Sequence, residues 1–167
     1  MAARTPVPVE VYLRTAYEPE REYVGGELLD RHVGDYSHGL LQASIAGVLG
    51  SREHERGFRA FIAVRVRGSD EPRYRVPDIC VKAWPHEITP ILTCPDLAIE
   101  VLSPEDRAGH MLAKIADYLA AGIPYVWVVD PYKRLAMAAD HSGIHRPPGL
   151  VLSTPLVGEV DFAALFQ

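Results

Sequence analysis

Two acidic residues interrupt short apolar runs of this 167-residue chain: Asp78 lies in Val-Pro-Asp-Ile-Cys-Val and Glu100 in Leu-Ala-Ile-Glu-Val-Leu. Burying an unpaired carboxylate is costly, so each acid needs a cation, a metal ion or strong hydrogen-bond donors beside it. Because side chains alternate along a strand, the two carboxylates converge if their strands are neighbours in register. One divalent ion would then satisfy both. The alternative is that Asp78 caps a turn and Glu100 pairs with an Arg such as Arg65.

Lys114 could bring positive charge to the same place. It lies at the margin of an apolar stripe with helical spacing, formed by Ala108, Met111, Leu112, Ile115 and Leu119. Because the run that contains Glu100 leads directly into this helix, Lys114 can lean back over the carboxyl end of that strand. The alternative is a lysine that covers apolar surface with its stem and keeps its charge in water.

The surrounding elements follow the order helix, three strands, helix, strand. We predict a helix from Ser37 to Gly57 and a second one that opens at Ser103-Pro104 and closes at Gly122. Strands are predicted over 59–67, 76–83, 97–102 and 125–129, and a strand or hairpin around Gly25-Gly26. This order indicates a mixed sheet flanked by helices, in an α/β or α+β arrangement.

Length and composition indicate a single globular domain over residues 1–167. Residues 1–20 are interpreted as an N-terminal arm or one helical turn, and 136–167 as a C-terminal extension of short strands and loops. An apolar fraction of 48% and a charged fraction of 23% exclude a disordered tail, a collagen-like chain and a coiled coil. The beginning of the chain lacks the pattern of a leader peptide, and no apolar run is long enough to cross a membrane. We therefore expect a cytoplasmic protein without a membrane partner.

Charge is unevenly distributed along the chain. The net charge of -5 excludes a protein that coats nucleic acid by bulk electrostatics. Residues 52–75 nevertheless contain seven Arg and four acids, which gives this segment a net charge of +3 and the rest of the chain -8.

Several common sites are excluded by their missing motifs. There is no phosphate-binding P-loop, no dinucleotide-binding GxGxxG, no GxSxG elbow and no HExxH. Cys80 and Cys94 fit no metal-ligand or disulfide-framework spacing. Hard oxygen ligands such as the two acids favour Mg²⁺ or Mn²⁺ instead.

Four motifs occur in a defined order over roughly residues 20 to 135: Val76-Pro-Asp78, Cys94 to Pro104, Lys114 with Tyr118, and Tyr125 to Pro131. Together they resemble the Uma-two family of restriction-endonuclease-like proteins, which belongs to the PD-(D/E)XK nuclease superfamily. The resemblance implies a restriction-endonuclease-like αβββαβ core.

The same resemblance implies a divalent-metal site formed by Asp78, Glu100 and Val101. The lysine of the superfamily's Glu-x-Lys motif is Leu102 in this chain. In the family the lysine is thought to come from the following helix, and Lys114 is the residue at that place. If Lys114 does not reach the metal, catalysis is in question while the fold is not.

Two more positions match the family pattern. Glu27, in Gly-Glu-Leu, is expected as an additional acid near the metal, or else as a strand-end residue facing solvent. His38, at the start of the first long helix, is expected to contact substrate phosphate, or else to act as a local hydrogen-bonding group.

Arginines of the basic segment could hold a nucleic-acid backbone, namely Arg65, Arg67, Arg73 and Arg75. The alternative is a solvated face on which these arginines pair with the acids of the same segment, Glu53, Glu55, Asp70 and Glu71.

The leading hypothesis is a Mg²⁺- or Mn²⁺-dependent endonuclease that hydrolyses phosphodiester bonds in DNA, with Asp78 and Glu100 placing the metal and Lys114 orienting the water or neutralising charge. One alternative is a nuclease-fold protein without catalysis that serves as a binding or assembly module. Another is a metal-dependent hydrolase of a small phosphorylated molecule. A homodimer is considered as the assembly.

Overall fold

The computed structural model describes residues 6–68 and 72–166. The helices are α1 (Val9–Arg14), α2 (Tyr36–Gly50), α3 (Glu53–Arg56) and α4 (Ala108–Ala120). The strands are β1 (Arg21–Val24), β2 (Glu27–Asp30), β3 (Phe58–Ile62), β4 (Val66–Arg67), β5 (Arg73–Arg75), β6 (Ile79–Ala83), β7 (Leu92–Thr93), β8 (Leu97–Val101), β9 (Val126–Asp130), β10 (Leu135–Asp140), β11 (Gly143–His145), β12 (Val151–Thr154) and β13 (Gly158–Asp161). Two 3₁₀ turns cover Pro148–Leu150 and Phe162–Ala164.

The main sheet has six strands in the order β11-β10-β9-β8-β6-β3. β8 and β9 are parallel, and the other neighbours are antiparallel. Within this sheet and its helices, α2, β3, β6, β8, α4 and β9 follow one another as αβββαβ. The predicted mixed sheet flanked by helices is therefore confirmed.

The central strand β8 is buried on both faces, which explains its nearly continuous apolar sequence. On one face its odd-numbered residues form a core cluster with three residues that recur every fourth position of α2, Leu41, Ile45 and Leu49. On the other face Ala98 packs in a second cluster with the buried stripe of α4, Met111, Ile115 and Tyr118. Glu100 has the parity of Ala98 and thus faces α4.

A second sheet of five strands, in the order β2-β1-β5-β4-β7, was not anticipated from the sequence. The helix α1 packs beside it through Tyr12, which is fully buried in a cluster with Tyr23 and Tyr74. The described part of the N-terminal segment is thus attached to the protein and is not a loose arm. At the other end of the chain, the hairpin of β12 and β13 contributes Leu152 and Val160 to the core cluster of α2.

The predicted bounds of both long helices, α2 and α4, were partly wrong. The first long helix begins at Tyr36, because Asp35 and not Ser37 caps it by accepting a hydrogen bond from the His38 amide. It ends at Gly50, and the rest of the predicted span forms the separate short helix α3.

The second helix begins at Ala108 and not at Ser103-Pro104. The Ser103 amide does donate to the Asp106 carboxylate, at 2.7 Å, but this contact closes a turn. Arg107 then has an extended backbone, with φ -99° and ψ 136°, so that turn cannot continue into the helix.

One predicted strand is divided and another is shortened. The span 59–67 breaks at Ala63, whose φ of 51° is left-handed, and its two halves join different sheets as β3 and β4. The span 76–83 contributes only β6, because β5 ends at Arg75 before Val76 and Pro77. Asp78 consequently stands immediately before the first residue of β6.

Candidate active site

Asp78 and Glu100 lie opposite each other on neighbouring strands. The pairing of Ile79 with Ile99 places Asp78 beside Glu100 one step further along the same register. The Asp78 carboxylate accepts a hydrogen bond of 2.9 Å from the amide of Val101, the residue after Glu100. Both acids are almost completely buried, at 5% and 2% exposure. The geometry brings together the two acids that interrupt the apolar runs.

Asp78 is held by two basic side chains from outside its own strand. Arg31 donates to Oδ1 at 2.8 Å, and the ring Nε2 of His38 lies 3.3 Å from Oδ2. Burial opposes ionisation of this carboxyl, but the His38 contact, the Arg31 charge and the Val101 amide together lower its pKa. Asp78 therefore remains a carboxylate, and the same contact with Asp78 raises the pKa of His38.

The surroundings of Glu100 shift its pKa in the opposite direction from that of Asp78. Burial, together with the negative charges of Asp78 and Glu22, raises the pKa of Glu100 to about 7 although Lys114 and Tyr118 act against this. Lys114 donates to Oε2 at 3.1 Å, and the Tyr118 hydroxyl donates a short hydrogen bond to Oε1. The alternative partner considered from sequence, Arg65, is bonded elsewhere.

Lys114 reaches the acids from α4, as the helical spacing predicted. Its Nζ lies 3.1 Å from Glu100 and 3.2 Å from Glu22, with 18% of the side chain exposed. Burial alone would lower the pKa of this amine, but the carboxylates of Glu100, Glu22 and Asp78 raise it well above the ordinary value. Lys114 is thus a fixed ammonium beside the acids and does not project into solvent.

A third buried acid, Glu22 of β1, also lines the site, and sequence reasoning missed it. It is 2% exposed and pairs with Arg75, which in turn pairs with Asp117 of α4. Burial raises the pKa of the Glu22 carboxyl, but Lys114, Arg75 and the Val76 amide lower it overall. A weak signal existed, since Arg73 and Arg75 alternate with an apolar residue and so share one strand face that requires acids.

Other predicted site residues lie apart from the acids. Glu27 is exposed at the start of β2 and does not line the cavity. Arg65 pairs with Glu20 at 2.8 Å and lies over the Tyr12 ring, and Arg67 is exposed on β4.

The remaining arginines of the predicted nucleic-acid surface are engaged within the protein. Arg73 and Arg75 both pair with Asp117, and only Arg75 lines the cavity. Of the acids considered as their partners, Glu53 pairs with Arg59, while Asp70 and Glu71 lie outside the described residues.

These groups surround a cavity of about 390 Å³. The acids, Arg75 and Lys114 line it together with basic groups of the β2–α2 loop and α4, namely Arg31, His32 and His110. An acidic, lysine-bearing floor beneath basic groups can accept an anionic substrate and orient it over the carboxylates.

The donor chemistry of the floor fits a hard divalent cation, which prefers carboxylate and carbonyl oxygens. Within residues 6–68 and 72–166, no three His, Cys, Asp or Glu side chains form a group that could hold a metal ion. Mg²⁺ requires no such cage, because it commonly keeps several waters and uses one or two carboxylates. Asp78 and Glu100 are therefore the two side chains whose chemistry fits such an ion, and in this structure their oxygens have protein partners.

The family model described as "Uma2: Putative restriction endonuclease" matches residues 9–139. The chain belongs to the Uma2 family. This confirms the resemblance carried by the four motifs and indicates a nuclease-like function for the Uma2 chain.

A solved structure supports the same assignment. The chain matches, with a TM-score of 0.83 and 25% identity, a structure described as "a putative nuclease belonging to DUF820 from Anabaena variabilis ATCC 29413". The match covers 96% of this chain and 98% of that chain. No curated protein matches this Uma2 chain. Across the described ranges, no helix combines the length and apolar character needed to span a membrane.

Proposed function

We propose that this protein is a divalent-metal-dependent endonuclease that hydrolyses phosphodiester bonds in DNA. The observation that carries the proposal is the placement of Asp78, immediately before β6, opposite Glu100 of β8, with the Lys114 ammonium 3.1 Å from Glu100. Three unlike groups from separate parts of the chain thus meet at one cavity, although burying them is energetically costly.

Asp78 and Glu100 would hold the metal ion, with a main-chain contribution from Val101, the residue after Glu100. When bound, a Mg²⁺ or Mn²⁺ ion would supply positive charge to the phosphoryl oxygens and to the attacking water. Asp78 is suited to this role because its lowered pKa keeps it ionised at neutral pH.

Lys114 would stabilise the negative charge that builds on the phosphate during attack, or orient the water. Its ammonium is already fixed by two carboxylates, so little reorganisation is needed when charge develops. Arg31 and His38, which contact Asp78 and line the cavity, would meet the phosphate as it enters. In this proposal His38 acts on the substrate side of the site, as its sequence position suggested.

A second candidate function is hydrolysis of a small phosphorylated molecule. A cavity of about 390 Å³ is within the usual size for small-molecule sites. In addition, Arg65, Arg73 and Arg75 are engaged in internal ion pairs and are not displayed to a duplex.

The test is cleavage of supercoiled, linear and branched DNA, and of a bis-p-nitrophenyl phosphate ester, in the presence of Mn²⁺. Wild type is compared with Asp78→Asn and with Asp140→Asn, which removes a half-exposed carboxylate outside the cavity. We expect the wild type and Asp140→Asn to cleave DNA equally and Asp78→Asn to show no cleavage above background.

Other results would support a different function or a different metal ligand. Cleavage of the small ester without cleavage of any DNA would support the second candidate. Binding of DNA without cleavage of either substrate would support the binding module considered from sequence. Equal cleavage by Asp78→Asn and wild type would show that Asp78 does not hold the metal.

A further inference from the structure

Glu22 occupies a position in the cavity that neither the motifs nor the proposed metal site explains. It lies on β1, in the second sheet, whereas Asp78 and Glu100 lie in the main sheet. With 2% exposure it is as deeply buried as Glu100. A carboxylate so placed must be stabilised by named partners, and those partners identify its role.

Both carboxylate oxygens of Glu22 are already engaged by protein groups. Oε1 accepts a hydrogen bond of 3.1 Å from the Val76 amide and lies 3.2 Å from the Lys114 Nζ. Oε2 accepts from the Arg75 guanidinium at 2.7 Å. These partners are an ammonium, a guanidinium and an amide, which characterise Glu22 as a carboxylate that holds cationic groups of the protein.

Arg75 extends this arrangement back to the helix that carries Lys114. Its Nε and one terminal nitrogen both donate to Oδ2 of Asp117, at 2.8 and 2.6 Å. Asp117 is three residues after Lys114 on α4, so the two side chains lie on one side of the helix. Lys114, Glu22, Arg75 and Asp117 consequently form a chain of three ion pairs that starts and ends on α4 and joins this helix to β1 and β5.

Lys114 has two carboxylate partners, Glu100 and Glu22, and they have different roles in the proposed function. In the proposed function an oxygen of Glu100 coordinates the metal ion. This weakens the ion pair between Glu100 and the Lys114 ammonium. Glu22 keeps its ion pair with Lys114, because Arg75 binds its Oε2 and the Val76 amide its Oε1.

We propose that Glu22 is the positioning residue of Lys114: it anchors the ammonium beside the metal site while Glu100 is engaged by the ion, and the Arg75–Asp117 pair fixes Glu22 in that position. This inference rests on the proposed function, since it assigns the lysine's task to the same reaction. Glu22 acts through Lys114 and does not touch substrate.

The first test substitutes Glu22→Gln, which preserves the shape and the ability to accept from Val76 but removes the charge. We expect kcat for Mn²⁺-dependent cleavage to fall about 10- to 100-fold, the usual cost of losing a group that orients a ligand or catalytic group, with KM unchanged. Mn²⁺ binding, measured by calorimetry, should keep the wild-type affinity. The matched control is Glu159→Gln, an exposed glutamate in strand β13, which should change none of these quantities.

The second test is a double-mutant cycle with Lys114→Met. If Glu22 acts through Lys114, adding Glu22→Gln to Lys114→Met should lower kcat no further. The same four proteins are also compared by chemical denaturation without metal. The midpoint loss caused by Glu22→Gln should be smaller in the Lys114→Met background, because the carboxylate has already lost its lysine partner there.

Three results would overturn the inference. Weakened Mn²⁺ binding by Glu22→Gln, to the extent seen for Asp78→Asn, would make Glu22 a metal ligand. A lower denaturation midpoint with an unchanged kcat would make it only structural. Additive effects in the cycle would disconnect it from Lys114.

Failure of the proposed function is distinguishable from failure of this inference. If the wild type cleaves no substrate, the proposed function fails, and the metal-free cycle alone decides the anchoring: non-additive midpoints support it and additive midpoints overturn it.

Discussion

Two clusters in this protein combine acidic and basic side chains, and they differ in how they are assembled. The exposed cluster lies on the β10–β11 hairpin, where Asp140, Ser142 and His145 contact one another within six residues of chain. The buried cluster, at the cavity, draws Glu22, Asp78, Glu100 and Lys114 from four separate elements or their ends.

The hairpin cluster contains the residue types of a Ser-His-Asp triad without its geometry. The same ring nitrogen, Nε2 of His145, lies 2.9 Å from the Ser142 hydroxyl and 3.2 Å from the Asp140 carboxylate. A triad uses one imidazole nitrogen for the serine and the other for the acid. The Ser142 amide and hydroxyl both donate to Asp140, at 2.8 and 2.6 Å, which is the pattern of a turn.

The pKa directions separate the two clusters further. Hydrogen bonds from Ser142 and His145 lower the pKa of the exposed Asp140 to about 2, so its charge is fully satisfied. Burial and neighbouring carboxylates raise the pKa of Glu100 to about 7, so the surroundings of this carboxyl oppose its ionisation. Residue types alone therefore do not identify a site, whereas convergence of side chains from distant elements, together with their unfavourable burial, does.

The largest expected difference between the clusters is in activity. Lys114→Met keeps an apolar stem packed on α4 but removes the ammonium. Because that charge is preorganised beside the acids, we expect cleavage to fall about 10²- to 10³-fold while substrate binding changes much less. The measurement is single-turnover cleavage in Mn²⁺ together with substrate binding in Ca²⁺.

The matched control for that experiment is Lys133→Met. Lys133 is 76% exposed in the turn after β9, and its ion pair with Asp130 is long, at 3.9 Å. It should retain wild-type cleavage. If Lys114→Met also retained it while Glu100→Gln abolished it, the assignment of the catalytic lysine to α4 would be wrong.

The acids and the lysine of the cavity were predictable from sequence because each violates a local pattern. Asp78 and Glu100 interrupt apolar runs, and Lys114 borders an apolar helical stripe. Such violations are visible within ten residues of chain and require no knowledge of strand pairing. The αβββαβ order was predictable for the same reason, since each element carries its own period.

Glu22 and Asp117 were not predictable, because nothing local distinguishes them. Glu22 faces the cavity only since β1 pairs with β5, about fifty residues away, and Asp117 matters only through Arg75 of that strand. The partners of the basic segment were hidden for a related reason: its excess charge left a nucleic-acid surface and a solvated, paired face both open, and the counter-charge of Arg73 and Arg75 comes from α4. Charge counts along a chain do not include partners supplied by another element.

The next difference concerns stability without metal. Lys114→Met leaves buried Glu22 and Glu100 without their shared cation, and breaking a buried pair on one side costs about 3 kcal/mol. Lys133→Met should cost no more than about 0.5 kcal/mol. Chemical denaturation in EDTA measures both values. Equal costs for the two lysines would mean that the cavity charges are as well solvated as surface ones.

A comparable effect is expected from metal binding. Mg²⁺ or Mn²⁺ should raise the melting temperature of the wild type, since a ligand of the folded state at 100 times its Kd stabilises by about 2.7 kcal/mol. Asp78→Asn should lose most of this shift, while Asp140→Asn should keep it. Equal shifts in all three proteins would place the metal outside the cavity.

The smallest effect is expected at the hairpin itself. Ser142→Ala removes the largest cause of the low Asp140 pKa, so the pKa should rise from about 2 toward the ordinary value of about 3.9. Because a folded-state pKa below the unfolded-state value favours folding only while the group is ionised, this contact stabilises the hairpin above pH 4, and its contribution is lost as the pH falls through about 2. An NMR titration of the Asp140 carboxyl carbon measures the midpoint in both proteins.

His145→Ala should produce a smaller rise, since the histidine contributes less than the serine. Cleavage at neutral pH should be unchanged in both variants, because Asp140 is ionised there with or without its partners. A loss of cleavage in Ser142→Ala would give the hairpin a part in catalysis and remove the distinction between the two clusters.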